Sequence, residues 1–396
     1  MNTLETDVVI IGAGAAGLAA AHTLHERKID FLLLEARDRV GGRAYTLRSQ
    51  GGTSPIELGA EFIHGAANST RTLMHEIGEV ALPSNGEGFI VQSGHLEPSP
   101  DTWETAERVL GRVDIAGRDE SVAAFLDTIP RNELPDEQRA WLRALVEGFD
   151  AALVHDASVI GIAKEWRSGV NDTSHRPKDG YAPIMEHLAA IAGKRLFLRT
   201  VVTHVSWSPH DVHIDATCDG DALRVTAHRA IVTLPIGVLH HNVALFAPAL
   251  PPEKRAAIEA IAMGPVIKVA LEFHEPFWRD VENGRYRDAG FFRAPACQLQ
   301  TLWSRYPDRA PILMGWAGGG AAQRLHDRGV DPIRAALDTT TMLFPSVDVK
   351  AELRNAYLHD WQADPFACGA YSYLRVGAGN ARERLAEPIE DTLFFA

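Results

Sequence analysis

The chain of 396 residues lacks the features that mark several common classes of protein. Its three cysteines, Cys218, Cys297 and Cys368, are an odd number without CxxC spacing, which argues against a disulfide scaffold, a zinc site or a redox dithiol. It has neither the HExxH motif of zinc proteases nor the GxSxG elbow of serine hydrolases. We therefore expect no metal site.

Positive charge and long apolar runs are also in short supply. Lys and Arg total 39 against 52 Asp and Glu, a formal charge of −13, so nucleic-acid phosphates and anionic membrane surfaces repel the chain. No apolar run approaches the ~18 residues of a membrane span, and no basic region followed by a cleavable apolar core opens the sequence. These absences predict a cytoplasmic protein without nucleic-acid or membrane partners.

Residues 7–35 have the pattern of a strand, a glycine-rich turn, a helix and a second strand. In the turn, Gly12 allows a tight bend, Gly14 lets a pyrophosphate approach the backbone, and Gly17 lets helix and strand pack closely. The helix start at Ala16 offers free N–H groups to phosphates. Glu35 ends the second strand and supplies a carboxylate for ribose hydroxyls. The pattern predicts a dinucleotide site in an α/β fold.

A second glycine pair, Gly41-Gly42, follows this carboxylate and is flanked by Arg39 and Arg43. The pair gives a second close approach of backbone to ligand, and the two arginines are cationic donors for phosphate. One alternative function for a dinucleotide-binding protein is that of a nicotinamide dehydrogenase. Such an enzyme has no need of this second loop, so the loop disfavours that alternative.

These motifs together resemble the flavin amine oxidase family, which includes monoamine oxidases, polyamine oxidases and lysine-specific histone demethylases. Further segments resemble the same family along the whole chain, namely residues 57–65, 200–205, 232–239, 264–278 and 361–373. The resemblance implies a Rossmann-like FAD domain, residues 1–80, 193–247 and 385–396, and a mixed α+β substrate domain, residues 81–192 and 248–384. Ala370 stands where animal monoamine oxidases carry the flavin-linking cysteine, which implies noncovalent FAD.

The resemblance also implies roles for individual residues. Those expected at the cofactor are Gly12, Gly14, Ala16, Gly17, Glu35, Ala36, Arg37, Gly42, Arg43, Gly59, Ala60, Glu61, Val202 and Trp361. Those expected to be catalytic are Lys268, Tyr371, Trp361 and His64. The lysine would hold a water near the flavin, Tyr371 would form one wall of an aromatic cage that Trp361 flanks, and His64 would accept a proton or orient the substrate.

Simpler interpretations of these four residues remain open at this point. Alternation along residues 266–273 favours a half-solvated face on which Lys268 and Glu272 are neighbours. Aromatic residues more often fill cores than line active sites, which applies to Tyr371 and Trp361. His64 has the alternative of a satisfied core histidine.

The implied reaction is oxidation of the C–N bond of a primary or secondary amine, including a polyamine, to an imine, with O2 reduced to H2O2. The alternatives are a desaturase or protoporphyrinogen-type flavin oxidase that acts on C–C bonds, and a non-catalytic binding protein. In the family the strand ending at Ala396 continues into Gly-Glu and a helix that closes over the flavin, so we expect residues 1–396 alone to bind FAD poorly. The sequence identifies neither the amine nor the oligomeric state.

Overall fold

The computed structural model describes residues 2–49, 54–99, 103–169 and 174–396, and two large sheets organise them. The first sheet has the strand order Leu196–Phe197, Phe31–Leu34, Asn2–Ile11, Asp221–Val232, Asp211–Cys218, Thr200–Ser208 and Phe246–Ala247, with Leu393–Phe395 paired beside Asp221–Val232. The second has the order Leu353–Asp360, Val266–Phe273, Ile312–Gly318, Thr301–Ser304, Ala289–Arg293, Glu87–Gln92 and His95–Pro98.

The centre of the first sheet is parallel, as the sequence predicts. Asn2–Ile11 lies between Phe31–Leu34 and Asp221–Val232 and runs parallel to both. Its β-branched residues 8–11 are buried, which is typical of a parallel strand covered on both faces. The Asp219-Gly220 pair between two alternating stretches of sequence also predicts a hairpin turn, and the structure has one there, since both residues have positive φ and connect two antiparallel strands.

The helices cover these sheets and fill the segments between them. In chain order they are Ala15–Glu26, Asn68–Glu76, Trp103–Leu110, Val122–Thr128, Asp136–Phe149, Val159–Trp166, Ala182–Ala192, Ile236–His241, Pro252–Ala260, Gly320–Asp327, Pro332–Leu343, Val349–Glu352 and Ala381–Ala386. Short strands form three smaller sheets, Thr46–Arg48 with Pro55–Glu57, Ile63–His64 and Ala81–Pro83 with Ser174–Pro177, and Ile261–Gly264 with Tyr371–Leu374. No helix in the described ranges is long and apolar enough to cross a membrane.

Short sequence signals predict some helix ends correctly and others incorrectly. Asp331 followed by Pro332 predicts a helix start, and the Asp331 carboxylate does cap the helix that begins at Pro332, accepting a hydrogen bond from the Ile333 N–H at 3.0 Å. The Pro251-Pro252 pair predicts a helix through Ala262, but this helix ends at Ala260, because the next residues pair as a strand with Tyr371–Leu374.

The sequence predicts a domain boundary after residue 192, but the helix before that boundary packs with the first sheet. Ile184 and Leu188 of helix Ala182–Ala192 share a core with Leu18 of the first helix and with the first strand. The helix therefore packs with the glycine-rich turn's own βαβ unit, although the sequence places it in the second domain.

Strand Val266–Phe273 is buried along its whole length, so the predicted half-solvated face is wrong. Neighbouring strands pair with both of its edges. On one face Leu271 packs with the helices that follow residue 320, and on the other Ala270 packs against Ile56 and Leu58. The segment that contains Ile56 and Leu58, far away in sequence, thus covers the face that the alternating pattern assigned to solvent.

Candidate active site

The glycine-rich turn has the geometry that a dinucleotide requires. A Cβ at Gly17 would lie 1.8 Å from the Gly12 carbonyl oxygen, so only glycine allows this helix to approach the strand so closely. A Cβ at Gly14 would meet only Gly42 Cα, at 3.9 Å, which leaves open space over this residue. Gly14 caps the helix without a side chain, and Ala16 in the first turn is exposed. The N–H groups of this turn can therefore face a phosphate.

The second glycine pair lies against the first turn. Gly41 bridges Gly14, and its N–H donates to the Ala13 carbonyl oxygen at 2.9 Å. Gly42 has φ +56°, and a Cβ there would lie 3.2 Å from Gly14 Cα. Two stretches of glycine backbone, which have no side chains, thus lie in contact, as expected for a pyrophosphate site.

The arginines of this second loop have separate contacts. Arg39 donates to the carbonyl oxygens of Val40, Gly42 and Ala44, so it holds the loop together. Arg43 is exposed and donates to the Ala370 carbonyl oxygen at 2.7 Å. Arg43 therefore connects this loop to the segment that carries Tyr371.

Glu35 lies beneath the turn, as predicted. Its two carboxylate oxygens accept hydrogen bonds from the N–H groups of Ala13, at 2.7 Å, and Arg37, at 2.9 Å. Each oxygen can accept a second bond, so the carboxylate remains able to hold ribose hydroxyls. The Thr200 N–H donates to the Glu35 carbonyl oxygen at 2.8 Å, which brings the strand containing Val202 to the same place.

A cleft of about 610 Å³ opens at the residues that follow Glu35 in the chain. Ala36 and Arg37 line it, and the Arg37 guanidinium pairs with Asp364 at 2.8 Å. Burial would raise the pKa of Asp364, but the His359 and Arg37 hydrogen bonds hold this pKa far below its usual range. The open cradle over Gly14, the helix start and Glu35 together fit the pyrophosphate and ribose of a dinucleotide such as FAD.

Lys268 is 1% exposed and lies at the junction of the two sheets' layers. Its ammonium donates to Glu61 Oε2 at 2.8 Å and to the Gly59 carbonyl oxygen at 3.0 Å. An ammonium has three N–H donors, and the third has no protein partner in the ranges that the structure describes. The lysine is therefore an ion-paired cation with one donor to offer.

Glu61 is the anion of a buried cationic cluster. Glu61 Oε1 lies 3.2 Å from Arg176 and accepts from Trp303 Nε1 at 3.0 Å. Burial alone would raise the pKa of Glu61, but the charges of Lys268, Arg176 and Arg305 lower it to about 2. Glu61 thus remains ionised and pairs with the Lys268 ammonium.

The loop that carries Gly59, Ala60 and Glu61 is fixed from both sides. A Cβ at Gly59 would lie 2.0 Å from the Arg43 carbonyl oxygen, and the Ala60 N–H donates to that same oxygen at 3.0 Å. Trp361 Nε1 donates to the Leu58 carbonyl oxygen at 2.8 Å. Trp361 is 2% exposed, so it has little surface for a ligand, and its indole contacts this loop and the His359 ring, 4.1 Å away between centroids.

Aromatic rings connect Tyr371 to His64 in a continuous row. Tyr371 is 44% exposed, and its ring lies edge-on to Trp316 at 6.0 Å between centroids. The row continues from Trp316 to Trp303, Phe62, His64, Phe149 and Trp166, with centroid separations of 5.9, 5.5, 5.8, 5.4 and 5.8 Å. Of these rings, only those of Tyr371 and His64 are identifiable from the sequence, because the others come from separate segments and have ordinary core spacing.

His64 is half-buried within this row, between Phe62 and Phe149. Burial lowers the pKa of His64, so its imidazole is neutral near pH 7. A neutral imidazole can accept a proton.

Comparisons with known proteins show the family to which the chain belongs. A sequence model of the family described as flavin containing amine oxidoreductase matches residues 15–396. The chain belongs to this family, and its class is therefore that of FAD-dependent amine oxidoreductases.

The chain is 28% identical over 428 residues to lysine-specific histone demethylase 2 of Homo sapiens, covering 98% of this chain and 50% of the relative. It is 29% identical over 429 residues to polyamine oxidase 4 of Oryza sativa subsp. japonica, covering 98% of this chain and 82% of the relative. The chain thus spans about half the length of the demethylase and most of the plant oxidase.

Solved structures share the fold. A putrescine oxidase bound to putrescine has a TM-score of 0.80 at 23% identity, over 100% of this chain and 93% of that one. Cyclohexylamine oxidase from Brevibacterium oxydans IH-35A has a TM-score of 0.78 at 23% identity, over 99% of this chain and 92% of that one.

Proposed function

We propose that this protein is an oxidase that converts the C–N bond of a primary or secondary amine to an imine, with O2 as the final acceptor and H2O2 as product. The observation that carries this proposal is the Lys268–Glu61 pair, which connects the loop beside the glycine cradle to the aromatic row. Bound FAD would supply the acceptor for a hydride equivalent from the carbon next to nitrogen and return the electrons to O2.

We assign noncovalent FAD to the cradle. The glycine-rich turn and the Gly41-Gly42 pair would hold its pyrophosphate, Glu35 would hold its ribose hydroxyls, and the strand of Val202 would contact its adenosine end. Ala370 offers no thiol for a covalent link. The remaining residues assigned to this site are Ala36, Arg37, Arg43, Gly59 and Ala60.

His64 prepares the substrate. Amines arrive as ammonium ions, whose nitrogen has no free lone pair. The neutral imidazole of His64 accepts the excess proton on one of its ring nitrogens, so the amine reaches the flavin in its neutral form. Tyr371 and Trp316 form the wall against which the amine lies, and their ring faces attract its cationic form on entry.

Lys268 acts on the flavin side. It pairs with the ionised Glu61, and its third N–H would donate to a water. Its positive charge would stabilise the negative charge that develops as oxygen is reduced. Trp361 is a positioning residue that holds the Leu58 carbonyl and, with it, the loop that Lys268 contacts.

The test is a panel of mono-, di- and polyamines mixed with the FAD-loaded protein. We expect oxygen-dependent formation of peroxide together with an aldehyde or ketone from the hydrolysed imine. Oxidation of a C–C bond with no loss of the amine would instead support the desaturase alternative. Stoichiometric flavin with no turnover of either kind would support the binding-protein alternative.

A further inference from the structure

Arg293 is a half-buried arginine without an anionic partner. It is the last residue of strand Ala289–Arg293 in the second sheet. No hydrogen bond or ion pair joins its guanidinium to another group in the described part of the chain. Burial lowers the pKa of Arg293, and no described carboxylate raises this pKa again. Because a guanidinium stays charged in proteins, it is a cation with its donors available to a ligand.

The pairing of strands places Arg293 in one row with residues of the candidate active site. Lys268 pairs with Trp316, and Trp316 pairs with Thr301 on the next strand. Thr301 in turn pairs with Arg293. Residues that pair directly across a sheet have their side chains on the same face. The row therefore runs along one face, from the lysine assigned to the flavin side to the Arg293 guanidinium.

The face that carries this row is accessible to solvent beyond Lys268. Trp316, Thr301 and Arg293 are all partly exposed. Their chain neighbours on the opposite face are packed in the core, since Leu302 and Phe292 are 0% exposed. A ligand that lies against Trp316 can therefore extend along the accessible face to Arg293.

The row continues past Arg293 to an acidic residue that already has partners. Arg293 pairs with Ile90, and Ile90 pairs with Glu97. The Glu97 carboxylate, however, lies 2.8 Å from Arg285, which also pairs with Glu282. Glu97 is thus the partner of another arginine and does not neutralise Arg293.

The spacing of the row limits the shape of a ligand that could reach Arg293. Neighbouring strands lie about 4.8 Å apart, so Arg293 is two strands, or about 10 Å, from Trp316. An extended chain spans about 1.2 Å per bond, so about four to eight bonds cover most of this distance once the arginine side chain reaches inward. An α-amino acid, with amine and carboxylate on one carbon, is too short.

We propose that Arg293 binds a carboxylate at the far end of the substrate, so that the preferred substrates are ω-amino acids or larger amines with a remote carboxylate. This inference rests on the proposed function, since it assumes that the reacting amine lies against Tyr371 and Trp316. The planar guanidinium can donate two parallel hydrogen bonds to a carboxylate. Such a fork fixes the far end of the substrate while the amine end is oxidised.

Turnover is compared for ω-amino acids of four to eight carbons, the alkylamines of the same carbon number and the α-amino acids of the same carbon number. The alkylamine lacks the carboxylate, and the α-amino acid has it in the wrong place. For at least one chain length, kcat/KM from peroxide release should be about 10- to 100-fold higher for the ω-amino acid than for either match, because charge-assisted hydrogen bonds add to its binding.

Variants of Arg293 test whether this residue causes the preference. Arg293→Gln removes the charge and should abolish the preference. Arg293→Lys keeps a positive charge without the planar fork and should retain part of it. Arg224→Gln is the matched control, because it removes an arginine of the first sheet that pairs with Asp215 at 2.7 Å. The control should keep the full preference.

Calorimetry with hexanoate separates this inference from the proposed function, because hexanoate has no amine to oxidise. The FAD-loaded wild type should bind hexanoate about 10-fold more tightly than the neutral hexanamide, and Arg293→Gln should bind both alike. Hexanoate binding through Arg293 in a protein that oxidises no amine would leave this site standing and refute the proposed function. Alkylamine oxidation without any preference for a carboxylate would overturn the inference alone, even if no Arg293 variant folds. So would an Arg293→Gln variant that keeps the preference.

Discussion

Replacing Glu61 with glutamine should destabilise the protein strongly, because this carboxylate is the anion of a buried cluster. Lys268 and Arg176 pair with it directly, and Arg305 adds a third positive charge to its surroundings. Glutamine has nearly the same shape and keeps one acceptor for Trp303. The substitution therefore removes charge rather than volume, and it leaves three buried cations without this partner.

The magnitude follows from the pKa of Glu61. The cluster lowers it from 4.5 to about 2, and each pKa unit corresponds to 1.36 kcal/mol. The charges thus contribute about 3 kcal/mol above pH 4.5. Because the pKa in the folded state is depressed, this stability is lost as the pH falls from 4.5 towards 2. The figure agrees with the roughly 3–5 kcal/mol that breaking a buried ion pair costs.

Glu57 provides a matched control with the opposite sign. It is buried four residues earlier, and burial raises its pKa from 4.5 to about 7, although the Tyr181 N–H donates to it. A raised carboxyl pKa means that the folded state is penalised as the pH rises from 4.5 to 7. Glu57→Gln should therefore gain stability relative to the wild type over this interval, while Glu61→Gln keeps its full deficit.

Urea unfolding of the FAD-saturated protein between pH 5 and 8 measures both variants. The account predicts a deficit of about 3 kcal/mol for Glu61→Gln that is constant over this range. A deficit below 1 kcal/mol, or equal pH profiles for the two variants, would show that Glu61 is not the ionised centre of this cluster.

Three further predictions concern the cofactor site. Glu35→Ala should weaken FAD binding about 10- to 100-fold, since a charge-assisted hydrogen bond contributes about 1.5–3 kcal/mol, and an FAD titration with unchanged affinity would contradict this. Gly17→Ala should prevent folding, because the added Cβ would lie 1.8 Å from the Gly12 carbonyl oxygen. Gly14→Ala should fold, because the nearest atom to its added Cβ is 3.9 Å away, and it should lose FAD binding. Circular dichroism measures folding and flavin absorbance measures FAD binding, and equal behaviour of the two variants would argue against the cradle. Lys268→Met should bind FAD but slow flavin reoxidation by O2, and stopped-flow traces identical to the wild type in both half-reactions would remove Lys268 from the chemistry.

The parts of the fold that sequence predicts well are set by neighbouring residues. The turn at Gly12–Gly17, the hairpin at Asp219-Gly220 and the cap at Asp331 each depend on a few consecutive residues. Local steric and hydrogen-bonding preferences therefore suffice to predict them.

The parts that sequence predicts poorly depend on distant contacts. The alternation of polar and apolar residues in its strand assigned Lys268 to solvent, because nothing within the strand indicates that residues 56–61 cover that face. Family resemblance placed Glu61 at the cofactor, but its ion pair with Lys268 joins residues 207 positions apart.

The most direct test of the central claim is anaerobic mixing of the FAD-loaded protein with the amine panel, followed by admission of oxygen. The account predicts that at least one amine bleaches the visible flavin absorbance, and that oxygen restores it with one peroxide formed per flavin. Flavin that remains oxidised with every amine, in protein shown to bind FAD stoichiometrically, would contradict the assignment of this site to amine oxidation.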